Sequence, residues 1–187
     1  MAAPNPFYDQ GALGQIANNL FLGWGYDFYR AENQLRADDQ LVRAKARELL
    51  GRATASVQAA EAAYRREALP PPSREKPFPD PQAIQSAQAL ERLGREIAAV
   101  SGRLHALPAP GQDLMSLLYR QEAQTLAGLV EIDSRLMGQA ELLRAMVEDR
   151  PAAWLLENAA LIESGLAALQ ATLADRGALL LSGGPPR

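Results

Sequence analysis

The chain has 187 residues, of which 19 are basic, 22 acidic and one is histidine, and it contains no cysteine. That length suits one domain with a substantial core. Without cysteine there are no disulfides, thiolate zinc sites or thiol nucleophiles, and a net charge of −3 argues against general nucleic-acid binding.

Ala, Leu, Glu, Gln and Arg dominate, while Val, Ile and Thr are few, so the chain reads as all-α. No apolar run approaches the length of a membrane span. Residues 1–10 have neither the basic nor the apolar region of a signal peptide. A cytoplasmic setting is therefore expected. Charges of both signs are interleaved along the chain, which describes solvated helix surfaces better than a binding field.

In chain order, residues 1–9 read as a flexible N-terminus and residues 10–181 as one bundle domain. The first helix is expected over 9–69, weakened or bent by Gly23 and Gly25 beside Trp24. Its apolar face runs Phe28, Leu35, Val42, Leu49, Ala53, Val57, Ala60 and Tyr64. A proline-rich connection at 70–81 cannot be helical, because proline lacks the amide donor and clashes with the preceding turn. Asp80 and Pro81 then start a second helix with a seam at Leu90, Leu93, Ile97, Val100, Leu104 and Leu107. Steps of three and four along this seam are a bundle spacing.

After Pro108, Pro110 and Gly111, a third helix is expected from about residue 112 to 149, burying Leu118, Leu129, Ile132, Leu136, Leu143 and Met146. Pro151 opens a fourth, with a seam at Leu155, Ala159, Ile162, Leu166, Leu169, Leu173 and Leu180. Residues 182–187 read as a flexible tail. The expected fold is an antiparallel four-helix bundle with a long, kinked first helix, and with pairs such as Glu48–Arg52, Glu91–Arg95 and Glu131–Arg135 on its outer faces. A continuous first helix would outrun the second by roughly 20 Å or more.

Chemistry-bearing constellations are sparse. The lone histidine, His105, excludes a triad or multi-histidine metal site within one chain, and residue 102 is glycine, so no Glu-x-x-His motif precedes it. Near a helix C-terminus it reads as a surface or capping residue. Glu32, Asp39 and Glu122 lie along seam edges and could form a carboxylate cluster, although pairing with Arg36, Arg43 or Arg120 explains them as well. No phosphate loop or nucleophile elbow is present. Neither a cofactor nor a metal is expected.

What remains is an aromatic concentration. Seven of eleven aromatic residues fall within the first 29 positions. Among them Phe21, Trp24, Tyr26, Phe28 and Tyr29, with Arg30, are the candidate contact residues. Such rings cap a core, anchor an interface, or line a ligand pocket. Lys and Arg are absent before Arg30, which removes the usual attraction to anionic lipid, so membrane contact is not expected. The expectation is a non-catalytic protein acting through protein-protein contacts. It pairs with itself as a homodimer, or with another protein, and no nucleic acid is involved. The alternative is a small-ligand carrier or sensor with an aromatic-lined pocket at the N-terminal pole.

Overall fold

Among the described residues, the chain is helical where apolar residues recur at steps of three and four, and it breaks near proline, glycine and asparagine. The computed structural model describes residues 5–25, 35–74, 77–107 and 123–182, with backbone alone for 35–39, 123–127 and 180–182. A 3-10 turn, Pro6–Tyr8, leads into α1 (Gln10–Gly23). Then follow α2 (Leu35–Ala68), α3 (Pro81–Ala106), α4 (Ala123–Val147), α5 (Ala152–Glu157) and α6 (Ala159–Ser182). Among the described residues there is no strand, and no helix is long and apolar enough to cross a membrane.

The core is a closed ring of helices. α2 packs on α3 and α4, α4 packs on α6, and α6 returns to α3. Side-chain pairings show that α2 and α3 run antiparallel, as do α4 and α6. Between α2 and α3, Arg43 reaches the carbonyl of Leu107 while Val57 faces Gly94. Between α4 and α6, Gly128 meets Leu179 and Arg135 meets Asp175. The expected seams supply this core: Val42, Leu49, Ala53 and Val57 from α2, and Leu90, Leu93, Ile97, Val100 and Leu104 from α3. Leu129, Leu136 and Leu143 from α4, and Ile162, Leu166, Leu169 and Leu173 from α6, complete it. Asp80 caps α3 by accepting from the Gln82 amide at 2.9 Å, with Pro81 in the first turn as the sequence predicts.

Four departures from the sequence reading have clear physical causes. First, Gly23 and Gly25 do more than bend a helix. α1 ends at Gly23, and Gly25 adopts φ 66°, the left-handed conformation that terminates helices. The Trp24 ring lies 5.0 Å from Lys45 Nζ. A continuous helix would hold those residues roughly 30 Å apart, so the chain doubles back. α1 becomes a fifth helix laid against α4 instead of an overhang.

Second, residues 5–9 are docked where a flexible end is expected. The Phe7 side chain is fully buried, Gln139 Nε2 donates to the Phe7 carbonyl at 3.1 Å, and Asn5 Nδ2 donates to Ser164 Oγ at 2.7 Å. Asp9 caps α1 by accepting from the Ala12 amide at 3.1 Å. Two glycines inside helices make this close approach possible. A Cβ on Gly165 would lie 2.5 Å from Phe7 Cζ, and one on Gly138 would lie 2.8 Å from Leu13 Cα.

Third, the fourth expected helix breaks at Asn158, whose Nδ2 donates to the Trp154 carbonyl at 2.9 Å. A side-chain amide that competes for backbone carbonyls in this way bends a helix. Fourth, two arginines expected to pair within their own helix reach across instead: Arg52 to Glu148, just past the end of α4, at 2.5 Å, and Arg135 to Asp175 of α6 at 2.9 Å.

The α4–α5 turn is fastened from α2. Ser56 Oγ donates to the Val147 carbonyl at 3.2 Å and accepts from the Asp149 amide at 2.9 Å. Asp149 itself has φ 55°. Arg144 bridges Glu141 and Glu148, and Arg52 adds a second cation to Glu148. Hydrogen bonds from Arg144 and then Arg52 hold the Glu148 carboxyl below its ordinary value of 4.5. A depressed carboxylate stabilises the fold above its unfolded-state value, and that contribution is lost as pH falls through the folded value. The melting-temperature gap between wild type and Glu148→Gln, wild type higher near neutral pH, is therefore expected to narrow progressively as pH falls below the ordinary carboxylate value. A gap unchanged across that range in a thermal-denaturation series would exclude any linkage to this carboxylate.

Candidate functional site

The N-terminal segment is the best-defined candidate, and it is built from the inside outward. The inner face of α1 buries Leu13 and Ala17 completely. Below it, the Phe7 ring fills the slot over Gly165. Above it, Leu20, Phe21 and Trp24 are half-buried against the core, and Phe21 and Trp24 pack as a tilted pair with centroids 6.1 Å apart. Lys45 of α2 covers the Trp24 face, a cation–π contact worth about 0.5–1 kcal/mol at an exposed site. Arg43, two residues earlier on α2, donates to the Leu107 carbonyl at the end of α3, so Trp24 shares its pole with that connection.

Of the candidate contact residues, Phe21 and Trp24 are thus brought together, both facing partly inward. Tyr26, Phe28, Tyr29 and Arg30 lie outside the described residues. In the carboxylate cluster, Glu32 and Glu122 also lie outside them, and Asp39 is described only as backbone near the start of α2. His105 sits exposed in the last turn of α3. Among the described residues, no three or more His, Asp or Glu side chains are grouped to hold a metal ion.

The outward face of α1 is unusual in its chemistry. From Gln10 to Gly25 the sequence carries no ionisable side chain. Ala12, Gln15, Asn18 and Asn19 are exposed there, Leu22 is 79% exposed, and Tyr8 just before the helix is 59% exposed. The outer faces of α2 and α3, in contrast, carry Arg47, Glu48, Arg52, Glu91, Arg92 and Arg95.

Two further features escape the sequence reading. In the interface of α4 with α6, Asp133 and Arg176 form a fully buried ion pair, with Arg176 Nε 2.6 Å from Asp133 Oδ1 and Nη2 3.3 Å from Oδ2. Both occupy seam positions: Asp133 falls four after Leu129 and three before Leu136, and Arg176 falls three after Leu173. Charged residues at these register positions were the available signal. At the opposite pole from Trp24, a groove of about 860 Å³ opens between α2 and the α4–α5 turn, with Tyr64 on one side and Arg150 on the other. The Arg150 guanidinium lies 4.8 Å from the Trp154 ring, so Tyr64 and Trp154 gather at this pole. Phe78 remains 86% exposed on the α2–α3 connection.

Compared with known protein families, characterised proteins and solved structures, the chain matches none.

Proposed function

We propose that the protein is a non-catalytic, cytoplasmic helical bundle that works through protein-protein contacts and associates with a second copy of itself across the outward face of α1. The supporting observation is the absence of charge on that face. Surface helices normally carry ion pairs, and α2 and α3 do. Loss of charged residues, together with exposed aliphatic and aromatic side chains, marks the centre of protein interfaces. Leu22 and Tyr8 supply the apolar anchors, and the uncharged amides of Gln15, Asn18 and Asn19 can hydrogen-bond without desolvating a charge. Phe7, Leu13 and Ala17 serve a different purpose: they fix α1 to α4 and α6 so that the outer face is presented rigidly, which lowers the ordering cost of association.

Light scattering at micromolar concentration is expected to give about twice the 20.2 kDa chain mass. Leu22→Glu, at an exposed position, leaves the fold intact and weakens the dimer at least tenfold, equivalent to roughly 1.4 kcal/mol. A monomer mass across the whole concentration range sinks the proposal, as does a dimer indifferent to Leu22→Glu.

A further inference from the structure

Residues 5–23 form a strap laid on a ring of helices that closes without it. α1 rests on α4 and the Pro6–Tyr8 turn on α6, while α2, α3, α4 and α6 meet through contacts of their own. The strap sets its own shape locally. Asn5 Oδ1 accepts from the Phe7 amide at 3.1 Å, Pro6 fixes the backbone between them, and Asp9 caps α1. Phe7 is therefore presented on a preformed turn, and little further ordering is needed to seat it. The receiving slot is as specific. Gly165 and Gly138 leave room for the Phe7 ring and for close approach of the α1 backbone at Leu13. Gln139 Nε2 meets the Phe7 carbonyl, and Ser164 Oγ meets Asn5 Nδ2. The segment that matches these features is the chain's own.

We infer that the strap is an exchangeable arm: residues 5–23 of one copy dock in the α4–α6 slot of a second copy, which returns its own strap. The contacts are those already made within a single chain, so slot and arm are complementary from the outset. The hinge points the same way. Among the described residues no heavy atom lies within 4 Å of a Cβ placed on Gly23 or Gly25, so the arm swings there without disturbing packing. Gly25 holds φ 66° to fold α1 back over its own ring, a conformation that exchange releases. Once lifted, the arm carries no ionisable side chain from Gln10 to Gly25 and exposes Phe7, Leu13 and Ala17, so it returns to a slot instead of staying in water. Its own slot competes at roughly millimolar effective concentration, so exchange gains ground as the chain is concentrated. The outward face of α1 is presented alike in both states, which makes this contact independent of the association across that face.

The test mixes two full-length chains, both carrying Leu22→Glu so that the outer face of α1 contributes no dimer. The donor adds Gly138→Leu and Gly165→Leu, which fill its slot and leave its strap intact. The acceptor adds Phe7→Ala and Leu13→Asp, which disable its strap and leave its slot open. Light scattering is expected to give the 20.2 kDa chain mass for each alone and about twice that for the mixture. A mixture that stays at the single-chain mass overturns the inference. So does a dimer of the donor alone, whose slots are filled. Loss of helical circular dichroism in the acceptor alone overturns it too, because the ring would then depend on its strap. A second arm tests the hinge in the chain with Leu22→Glu only. Gly25→Val places a β-branched residue at positive φ in the closed state, and it is expected to tighten self-association at least tenfold. An unchanged association constant overturns the part assigned to the hinge.

Discussion

Arg176→Met is expected to destabilise the fold by about 3–5 kcal/mol, because it leaves the Asp133 carboxylate buried without its guanidinium. Both side chains are fully inaccessible, and the fork geometry of 2.6 and 3.3 Å holds the carboxylate through two nitrogens. Total stabilities of small domains are about 5–15 kcal/mol, so this single change removes a large fraction. The companion experiment separates the value of the pair from the penalty of breaking it. Asp133→Leu combined with Arg176→Met takes both charges out and keeps the volume apolar. Desolvating two ions costs nearly as much as their attraction returns, so the double variant is expected to lie near wild type or up to about 4 kcal/mol above it. Urea denaturation of the three proteins measures both numbers. A single variant within about 1 kcal/mol of wild type would contradict the burial of this pair.

What such a pair does for a bundle is set register. A continuous Leu seam tolerates sliding of one helix past another, whereas a charge that can reach its counter-ion in one position only does not. Arg135–Asp175 lies at nearly the same level of the α4–α6 pair and adds a partly exposed second pairing. The double variant is therefore expected to keep its stability while losing dispersion and sharpness in its amide NMR spectrum, and a spectrum as sharp as wild type would exclude the register role.

The seams of α2, α3, α4 and α6 were legible in the sequence because burial along a helix follows its 3.6-residue period, which needs no knowledge of the partner helix. The start of α3 at Asp80 and Pro81 was legible for an equally local reason. Less accessible were the features fixed by distant contacts. Residues 5–9 have the composition of a loose end, and only the slot above Gly165 makes Phe7 a core residue. Glycine in a helix interior costs about 1 kcal/mol relative to alanine, so Gly138 and Gly165 were signs of close approach, but not of what approaches. Likewise, Gly23 and Gly25 marked an interruption without saying that the chain reverses there and returns Trp24 to Lys45. In the candidate site, Phe21 and Trp24 pack against each other and are half-buried against the core, an arrangement that the sequence pattern did not specify. The large exposed apolar side chains of this segment are Leu22 and Tyr8, which aromatic clustering alone does not rank.

Phe7 and Gly165 are expected to behave as a single unit, with an effect large enough to reverse the sign of one substitution. Phe7→Ala empties a fully buried site and costs about 3–5 kcal/mol. In the wild-type background Gly165→Ala drives a methyl to within 2.5 Å of Phe7 Cζ and 2.7 Å of Cε1, an overpacking that typically costs about 1–3 kcal/mol. With Phe7→Ala already in place, nothing opposes the methyl: it fills part of the vacated slot, and the helix-propensity gain of alanine over glycine, up to about 1 kcal/mol, emerges uncancelled. Gly165→Ala thus goes from destabilising to stabilising, a coupling well beyond the few tenths of a kcal/mol expected of independent sites. Native-state hydrogen exchange locates the effect. Either single variant accelerates exchange in α1 while α2, α3, α4 and α6 retain protection, since the strap rests on α4 and α6 from outside the ring. If Gly165→Ala instead costs the same in both backgrounds, Phe7 does not occupy the slot, and the rigid presentation of the α1 outer face loses its basis.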